Sequence, residues 1–332
     1  MPASRRPRLF LLFTPLEGPS GGGNQFMKAL QAALMRKDAL ASTQADADAF
    51  LFASYHGLAR AAMARLRRPQ AVFIHRVDGP IRLYNRMDDP RDAKVAAANR
   101  ALADATVFQS RWSRDANVAL GWPQGLPDAV IPNAPDAALF HPPAAQRAPG
   151  PRRRVIAASW SANENKGFDV YAHLDATLDF SRWEMAFVGN SPCKFERVTH
   201  VPPLPSDALA EQFRESDVFL TASRKDPASN TLVEALACGL PAVARNDGGH
   251  PEIVGRGGLL FDRPEEVPAL LDRAWSEREA LRAAISVPAI DDVAAAYVDF
   301  AASLVDARDA GRLRPRRLGI GGALRLFREA RA

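Results

Sequence analysis

The chain has 332 residues, a net charge of +5 and 47% hydrophobic residues. This length is enough for two ordinary domains, and the hydrophobic content supports folded cores and excludes an intrinsically disordered chain. No apolar run approaches the roughly 18 residues that a membrane-spanning helix requires, and the N-terminal LFLLF is too short for the core of a signal peptide. We therefore expect a cytoplasmic protein.

The positive charge is concentrated in the C-terminal tail, residues 308–332. This tail contains eight Arg against Asp309 and Glu329, so it accounts for more than the whole net charge. That distribution argues against a nucleic-acid-binding core and favours a local anionic partner. Three apolar residues recur at helical spacing between the arginines: Ile320, Leu324 and Phe327. We expect the tail to contact an anionic membrane at its inner face, and a frayed terminus is the alternative.

Neither the cysteines nor the acidic residues predict a metal site. Cys193 and Cys238 stand far apart without a second pair, so they indicate neither a disulfide framework nor a zinc cluster. Asp46 and Asp48 form an Asp-x-Asp, but they precede a predicted strand instead of following one. We interpret them as a solvated turn, and we expect no metal and no cofactor.

Short apolar runs alternate with helical stretches along the chain, beginning with RLFLLF and QFMKALQAALMRK. Such alternation predicts βα units on a parallel sheet. The Pro- and Arg-rich stretch from His141 to Arg154 interrupts the pattern and is typical of a linker, after which the alternation restarts. We predict four segments: a Rossmann-like domain over residues 1–145, a second over 146–290, a helix over 291–307 that returns to the first domain, and the basic tail over 308–332.

The segment SRKDPASNTLVEALACGLPAVARNDGGHPE, from Ser223 to Glu252, places two carboxylates around a helix start. TLVEALAC predicts a helix, and Thr231 and Glu234 have the spacing of a capping box, which is a purely structural role. A capping box does not explain Asp226 or the polar run before the helix. Free amides at a helix N-terminus suit a phosphate, and carboxylates beside a phosphate suit sugar hydroxyls.

This segment resembles the family 4 glycosyltransferases of GT-B fold, whose signature is a Glu, seven residues and a second Glu, then an Ala-rich helix, Gly and Pro. The resemblance continues in GGHPEIV from Gly248, in Lys166 with its following glycine, and in SGGGN, FQS and VIPNA, so it extends from about Arg8 to Asp306. It implies an α/β GT-B fold, with two Rossmann-like doubly wound parallel-sheet domains facing each other across a cleft. The acceptor would bind the N-terminal domain and the nucleotide-sugar donor the C-terminal domain.

The resemblance also implies roles for individual residues. Glu234 would bind the ribose hydroxyls of the donor, and Asp226 would bind the hydroxyls of the donor sugar. Lys166 would meet the diphosphate and His75 a sugar hydroxyl, and these four would be the catalytic residues. Further donor contacts are expected at Gly22, Gly23, Ser159, Asn163, Val201, Ser229, Asn230, Thr231 and Leu232. Acceptor-side contacts are expected at Asn24, Arg76 and Asp78.

The reaction implied by the family is a retaining, metal-independent transfer of a hexosyl or related group from a UDP- or GDP-linked sugar. The expected acceptor is a saccharide or lipid-linked saccharide in bacterial cell-surface glycan synthesis. Two departures stand out: Asp226 is one methylene shorter than the usual Glu, and SWSANEN before Lys166 lacks the Arg that many relatives carry. Two alternatives therefore remain open, a nucleotide-sugar 2-epimerase of related fold and a non-catalytic glycan-binding or partner module.

Overall fold

The computed structural model places two parallel-sheet units along the chain. It describes residues 6–17, 21–85, 88–145, 150–319, 321–324 and 326. The first unit consists of Met1–Pro15, Met27–Pro132 and Ile290–Ala332. The second unit consists of Leu16–Phe26 and Asn133–Ala289.

The first unit is built on a five-stranded parallel sheet whose strands follow in sequence order. The strands are β1 (Leu9–Leu11), β2 (Ala49–Ala53), β3 (Val72–Val77), β4 (Ala105–Phe108) and β5 (Asp128–Val130). The connecting helices are α1 (Gly22–Arg36), which belongs to the first unit from Met27 onward, α2 (Leu58–Arg67), α3 (Ile81–Tyr84), α4 (Arg91–Leu102) and α5 (Arg111–Ala119). All six residues of β3 are buried, as expected for a central strand of a parallel sheet that is covered on both faces.

The second unit contains a six-stranded parallel sheet in the order β11-β10-β9-β6-β7-β8. Its strands are β6 (Arg153–Ser159), β7 (Trp183–Gly189), β8 (Thr199–Val201), β9 (Val218–Thr221), β10 (Ala242–Arg245) and β11 (Gly258–Phe261). Its helices are α6 (Phe168–Thr177), α7 (Ser206–Arg214), α8 (Asn230–Ala237), α9 (His250–Val254), α10 (Val267–Ser276) and α11 (Arg278–Ala283). The strand order reverses between β6 and β9, and open α/β sheets bind ligands at such a switch point, beyond the carboxyl ends of the strands.

Alternation along β6 explains how this sheet is covered on both faces. Val155 and Ala157 lie in one hydrophobic cluster of the second unit, whereas Ile156 between them lies in another. Successive side chains of a strand point to opposite faces, so each cluster packs on one face of the sheet.

The boundary between the units differs from the predicted one at residue 145. Phe140 is buried in the core of the second unit, beside Phe213 and Phe219, so the chain joins that unit well before the Pro-rich stretch. The glycine-rich stretch near the N-terminus also belongs to the second unit, because residues 16–26 contact it. The amino-acid composition does not indicate that Phe140 or the glycine-rich stretch belongs to the second unit.

The last helix, α12 (Ile290–Asp309), lies in the first unit and spans the range predicted to return there. Beyond it, the backbone amide of Arg316 donates to Asp104 Oδ1 at 2.7 Å and its Nε donates to the carbonyl of Ala103 at 2.7 Å. Leu326 is buried in a cluster of the first unit, whereas Leu324 is 56% exposed. The described part of the basic tail therefore packs on the first unit.

Two residues of the predicted membrane-binding pattern, Ile320 and Phe327, lie outside the described residues, so membrane contact of the tail stays a prediction. Within the described part of the chain, no helix is both long enough and apolar enough to cross a bilayer.

A buried ion pair lies beneath the sheet of the first unit. The side chains of Arg65 and Asp104 are 0% and 1% exposed and bond each other directly. Arg65 also donates to the carbonyls of Ala71 and Leu102, and Asp104 accepts from the amide of Phe73. Removing two charges from water is costly, and these additional hydrogen bonds offset that cost.

We expect Arg65→Met to lower the free energy of unfolding by about 3–5 kcal/mol, because it leaves the Asp104 carboxylate buried without its cation. Urea denaturation followed by circular dichroism measures the loss. The matched control is Arg36→Met, since the side chains of Arg36 and its partner Asp291 are each 53% exposed. The control should lose less than about 1 kcal/mol. Equal losses in the two variants would contradict a structural role for the buried pair.

Candidate functional site

The loops that follow three neighbouring strands of the second unit, β6, β9 and β10, lie at one edge of the sheet. The loop after β6 ends in a short 3-10 turn that contains Lys166 and is followed by Gly167. Gly167 has a φ of 76°, and a Cβ there would lie 2.2 Å from the carbonyl oxygen of Ala222 at the end of β9. Only glycine allows this contact, which brings the Lys166 turn against the β9 loop.

The β9 loop carries Asp226, whose carboxylate pairs with Lys166. The distance from Lys166 Nζ to Asp226 Oδ2 is 2.9 Å, and the two side chains are 17% and 10% exposed. The backbone of Asp226 is held by the β10 loop, because the amide of Gly249 donates to its carbonyl at 2.8 Å. Gly248 has a φ of 66°, and a Cβ there would lie 2.3 Å from the same oxygen. The structure thus brings together Lys166 and Asp226, two of the predicted catalytic residues.

Electrostatics keep the Asp226 carboxylate charged. Burial by itself would raise its pKa, but the Lys166 ammonium outweighs burial and holds the pKa below its usual range. His250 is fully buried, and its Nδ1 lies 3.0 Å from the carbonyl oxygen of Arg245. Among the described residues, His250 Nε2 has no hydrogen-bond partner. The pKa of His250 is lowered, chiefly by burial, so its imidazole is neutral at pH 7.

Glu234 occupies a different environment from Asp226. Helix α8 begins at Asn230 with Ser229 as its N-cap, two residues earlier than a capping box on Thr231 requires. Glu234 therefore lies beyond the first turn, and the predicted capping box is wrong. Its carboxyl has no hydrogen bond or ion pair among the described residues, and burial alone raises its pKa to about 8.

Glu234 faces a cavity of about 540 Å³, counted out to its open side. Every residue of its lining belongs to the second unit. The lining that bears on function consists of Gly22, Ser159, Trp160, Leu204, Thr231 and Glu234. Three of the predicted donor contacts, Gly22, Ser159 and Thr231, thus surround one space together with Glu234.

The glycine-rich stretch contacts the start of α8. A Cβ on Gly22 would lie 2.4 Å from the Cβ of Asn230, so the two residues are in direct contact. Asn230 Oδ1 accepts from Asn133 Nδ2 at 3.0 Å. Gly23 is exposed with open space around its Cα.

Other predicted donor residues contact their own loops or the core. Ser159 Oγ donates to the carbonyl of Ser161 at 2.8 Å, and Asn163 Oδ1 accepts from the amide of Asn165 at 2.8 Å. The prediction for the side chain of Leu232 is wrong, because it is 0% exposed in a hydrophobic cluster on the core-facing side of α8. Val201 packs against the same cluster and lies outside the described lining of the cavity. Leu232 could contact a ligand only through its backbone.

The structure also corrects the prediction for His75. Strand β3 continues to Val77, so His75 lies inside the strand, is 0% exposed and stacks on Phe52 at 4.2 Å. Its Nε2 lies 2.9 Å from the carbonyl oxygen of Ser54, and its Nδ1 lies 3.2 Å from Asn99 Nδ2. Burial lowers its pKa to about 4, so His75 is a neutral structural residue.

The predicted acceptor residues lie in different units. Arg76 Nη1 contacts Asp78 Oδ1 at 3.1 Å in the first unit, where Asp78 also bonds Gln109. Asn24 belongs to the second unit and closes a loop through two hydrogen bonds to the backbone of Leu16, at 3.0 and 3.2 Å. Sequence reasoning missed Trp160 and His250, although each follows directly after a strand or opens a helix at the edge where ligands bind.

Comparison with known proteins identifies the architecture. Residues 153–276 match the model of the family described as glycosyl transferases group 1. Sucrose-phosphate synthase from Thermosynechococcus elongatus superimposes with a TM-score of 0.63 at 14% identity, covering 98% of each chain. Anabaena HepE, solved in complex with UDP-glucose, superimposes with a TM-score of 0.61 at 14% identity, covering 97% of each chain. The fold is GT-B.

The curated relatives match about a quarter to a third of this chain. The D-inositol 3-phosphate glycosyltransferase of Arthrobacter sp. (strain FB24) is 31% identical over 120 residues, which is 35% of this chain and 28% of that protein. The sulfoquinovosyl transferase SQD2 of Arabidopsis thaliana is 33% identical over 91 residues, which is 24% of this chain and 18% of that protein. These matches span less than a third of either relative.

The raised pKa of Glu234 predicts a pH-dependent stability. A carboxyl whose pKa is higher in the folded than in the unfolded chain stabilises the fold fully below about pH 4.5, and this contribution is lost as pH rises through about 8. Glu234→Gln is always neutral, so its melting temperature should exceed that of the native protein by a margin that grows from pH 5 to pH 8. The exposed Glu265→Gln is the control, and its margin should stay flat. A margin for Glu234→Gln that is equally flat would contradict the assignment.

Proposed function

We propose that this protein is a retaining, metal-independent family 4 glycosyltransferase that moves a hexosyl or related group from a UDP- or GDP-linked sugar to a saccharide or lipid-linked acceptor. The observation that carries the proposal is the Lys166–Asp226 pair beside the N-terminus of α8, in the unit whose cavity holds Glu234. A role in bacterial cell-surface glycan synthesis is part of the proposal. The UDP-glucose complex of HepE supports a UDP-linked donor.

Glu234 is suited to bind the ribose of the donor. Its carboxyl is buried, faces the cavity and has no competing partner among the described residues. A ribose diol both donates and accepts hydrogen bonds, so it satisfies this group in either protonation state. Binding of the ribose therefore gives the buried Glu234 carboxyl the hydrogen-bond partners that it otherwise lacks.

Lys166 is suited to stabilise the leaving group. Negative charge develops on the diphosphate when the bond between the anomeric carbon and the phosphate oxygen breaks, and an ammonium held in place stabilises that charge. Asp226 holds the ammonium at 2.9 Å, and in this proposal its carboxylate also accepts from hydroxyls of the donor sugar. The positive end of the α8 dipole acts on the same charge.

The proposed chemistry needs no protein nucleophile. The acceptor hydroxyl attacks the anomeric carbon from the face that the diphosphate leaves, and the departing phosphate oxygen takes the hydroxyl proton. The new glycosidic bond keeps the configuration of the donor, and the nucleoside diphosphate leaves protonated. The protein contributes positioning and charge stabilisation, the roles proposed here for Lys166, Asp226 and Glu234.

We expect a nucleoside diphosphate to raise the melting temperature of the native protein, because a ligand that binds only the folded chain stabilises it by mass action. A panel of UDP, GDP, ADP and their sugars identifies the base. Glu234→Ala should lose the shift, whereas the exposed Glu265→Ala should keep it. If no nucleotide shifts the native protein, the non-catalytic module becomes the better interpretation.

Lys166→Ala should lower kcat about 10²–10³-fold, the usual effect of removing one group that stabilises transition-state charge. The measurement is release of nucleoside diphosphate from the donor identified by the panel, with and without EDTA, which should leave the rate unchanged. Lys225→Ala is the matched control, because Lys225 is the neighbour of Asp226 but pairs with Asp247. An epimerised donor after incubation without acceptor, or a product of inverted configuration by NMR, would contradict the proposed reaction.

A further inference from the structure

Trp160 is a large aromatic side chain left partly exposed at the edge of the second unit's sheet. It directly follows β6 and is 46% exposed, although tryptophan is usually well buried. It lines the same cavity as Glu234. An aromatic ring that borders a cavity and has unburied surface is a typical ligand-binding feature.

The surroundings of Trp160 hold it in place. Its carbonyl oxygen accepts from Asn190 Nδ2 at 2.6 Å, and the neighbouring Ser159 bonds the carbonyl of Ser161. A Cβ built on Gly21 would lie 3.5 Å from the indole Cδ1, so part of the ring rests against the backbone of the glycine-rich stretch. The backbone next to Trp160 is thus hydrogen-bonded, and its side chain lines the cavity.

The wall around Trp160 is uncharged. Among the described lining residues, Glu234 is the one ionisable side chain, and the apolar part of the lining beside Trp160 consists of Ala158, Val188, Pro203, Leu204 and Leu209. A flat, weakly polar ring matches these apolar residues better than a diphosphate does. With the ribose on Glu234, the part of a nucleotide that matches this wall is its base.

We propose that Trp160 is the stacking platform for the nucleobase of the donor. The inference rests on the proposed function and deepens it, since it assigns the base end of the ligand to one residue. Every nucleobase has a π-face, so the platform strengthens binding of any base and leaves the choice of base to groups that contact the base edge.

The test compares Trp160→Ala and Trp160→Phe with the native full-length chain, by calorimetric titration with UDP, GDP and ADP. Trp160→Ala should raise the Kd of the bound nucleotide about tenfold to hundredfold, and Trp160→Phe should stay close to native because it keeps an aromatic face. Leu260→Ala is the control, since Leu260 is a similarly exposed apolar residue, 37% exposed, outside the cavity lining. Its Kd should not change.

A second readout is intrinsic fluorescence. The nucleotide should quench the native protein, and Trp160→Phe should lose most of that quenching although calorimetry still detects binding. If Glu234→Ala abolishes nucleotide binding while Trp160→Ala binds as tightly as the native chain, the platform is wrong and the proposed function stands. If Trp160→Ala weakens only the acceptor, measured as KM, the ring serves the acceptor and the proposal is overturned. If the native chain binds no nucleotide, both proposals fall together.

Discussion

The candidate site depends on the close approach of backbone segments at one edge of a parallel sheet. Lys166 and Asp226 are 60 positions apart and meet at 2.9 Å because the loops that carry them touch each other. Gly167 and Gly248 allow that contact, since a Cβ at either position would lie within 2.3 Å of a neighbouring carbonyl oxygen. Both also have positive φ, so a larger residue would be strained as well as too close. The Lys166–Asp226 pair therefore depends on glycine at positions 167 and 248.

The two carboxylates of the signature have opposite electrostatic environments. Asp226 has an ammonium beside it and remains ionised, whereas Glu234 is buried without a cation and titrates near pH 8. Two carboxylates of one site whose pKa values differ widely usually have different roles. An ionised Asp226 accepts hydrogen bonds and keeps Lys166 in place, while Glu234 can also donate one at neutral pH. Asp and Glu both carry a carboxyl group, so the sequence alone does not show that Asp226 and Glu234 have different pKa values.

The periodic features of this protein could be predicted from sequence, and its long-range packing could not. Alternating apolar runs predicted two parallel sheets, and a short motif predicted that Lys166 and Asp226 share a site. His75 was assigned to a sugar hydroxyl, but it lies inside β3 with its ring buried, and the sequence does not show that burial. The domain boundary was misplaced because Phe140 packs in the second unit, which depends on the tertiary fold. Glu234 was given a capping alternative because helix starts are uncertain by one or two residues.

The tail's contact with the first unit has a consequence for how the chain is made. Asp104 is completed by the backbone amide of Arg316, and α12 also belongs to the first unit. A ribosome synthesises residues 133–289 before it reaches these elements, by which time residues 16–26 are also available. The second unit can therefore acquire all of its parts during translation while the first still waits for its last helix and tail. N-terminal domains usually fold first, and here the order of completion is reversed.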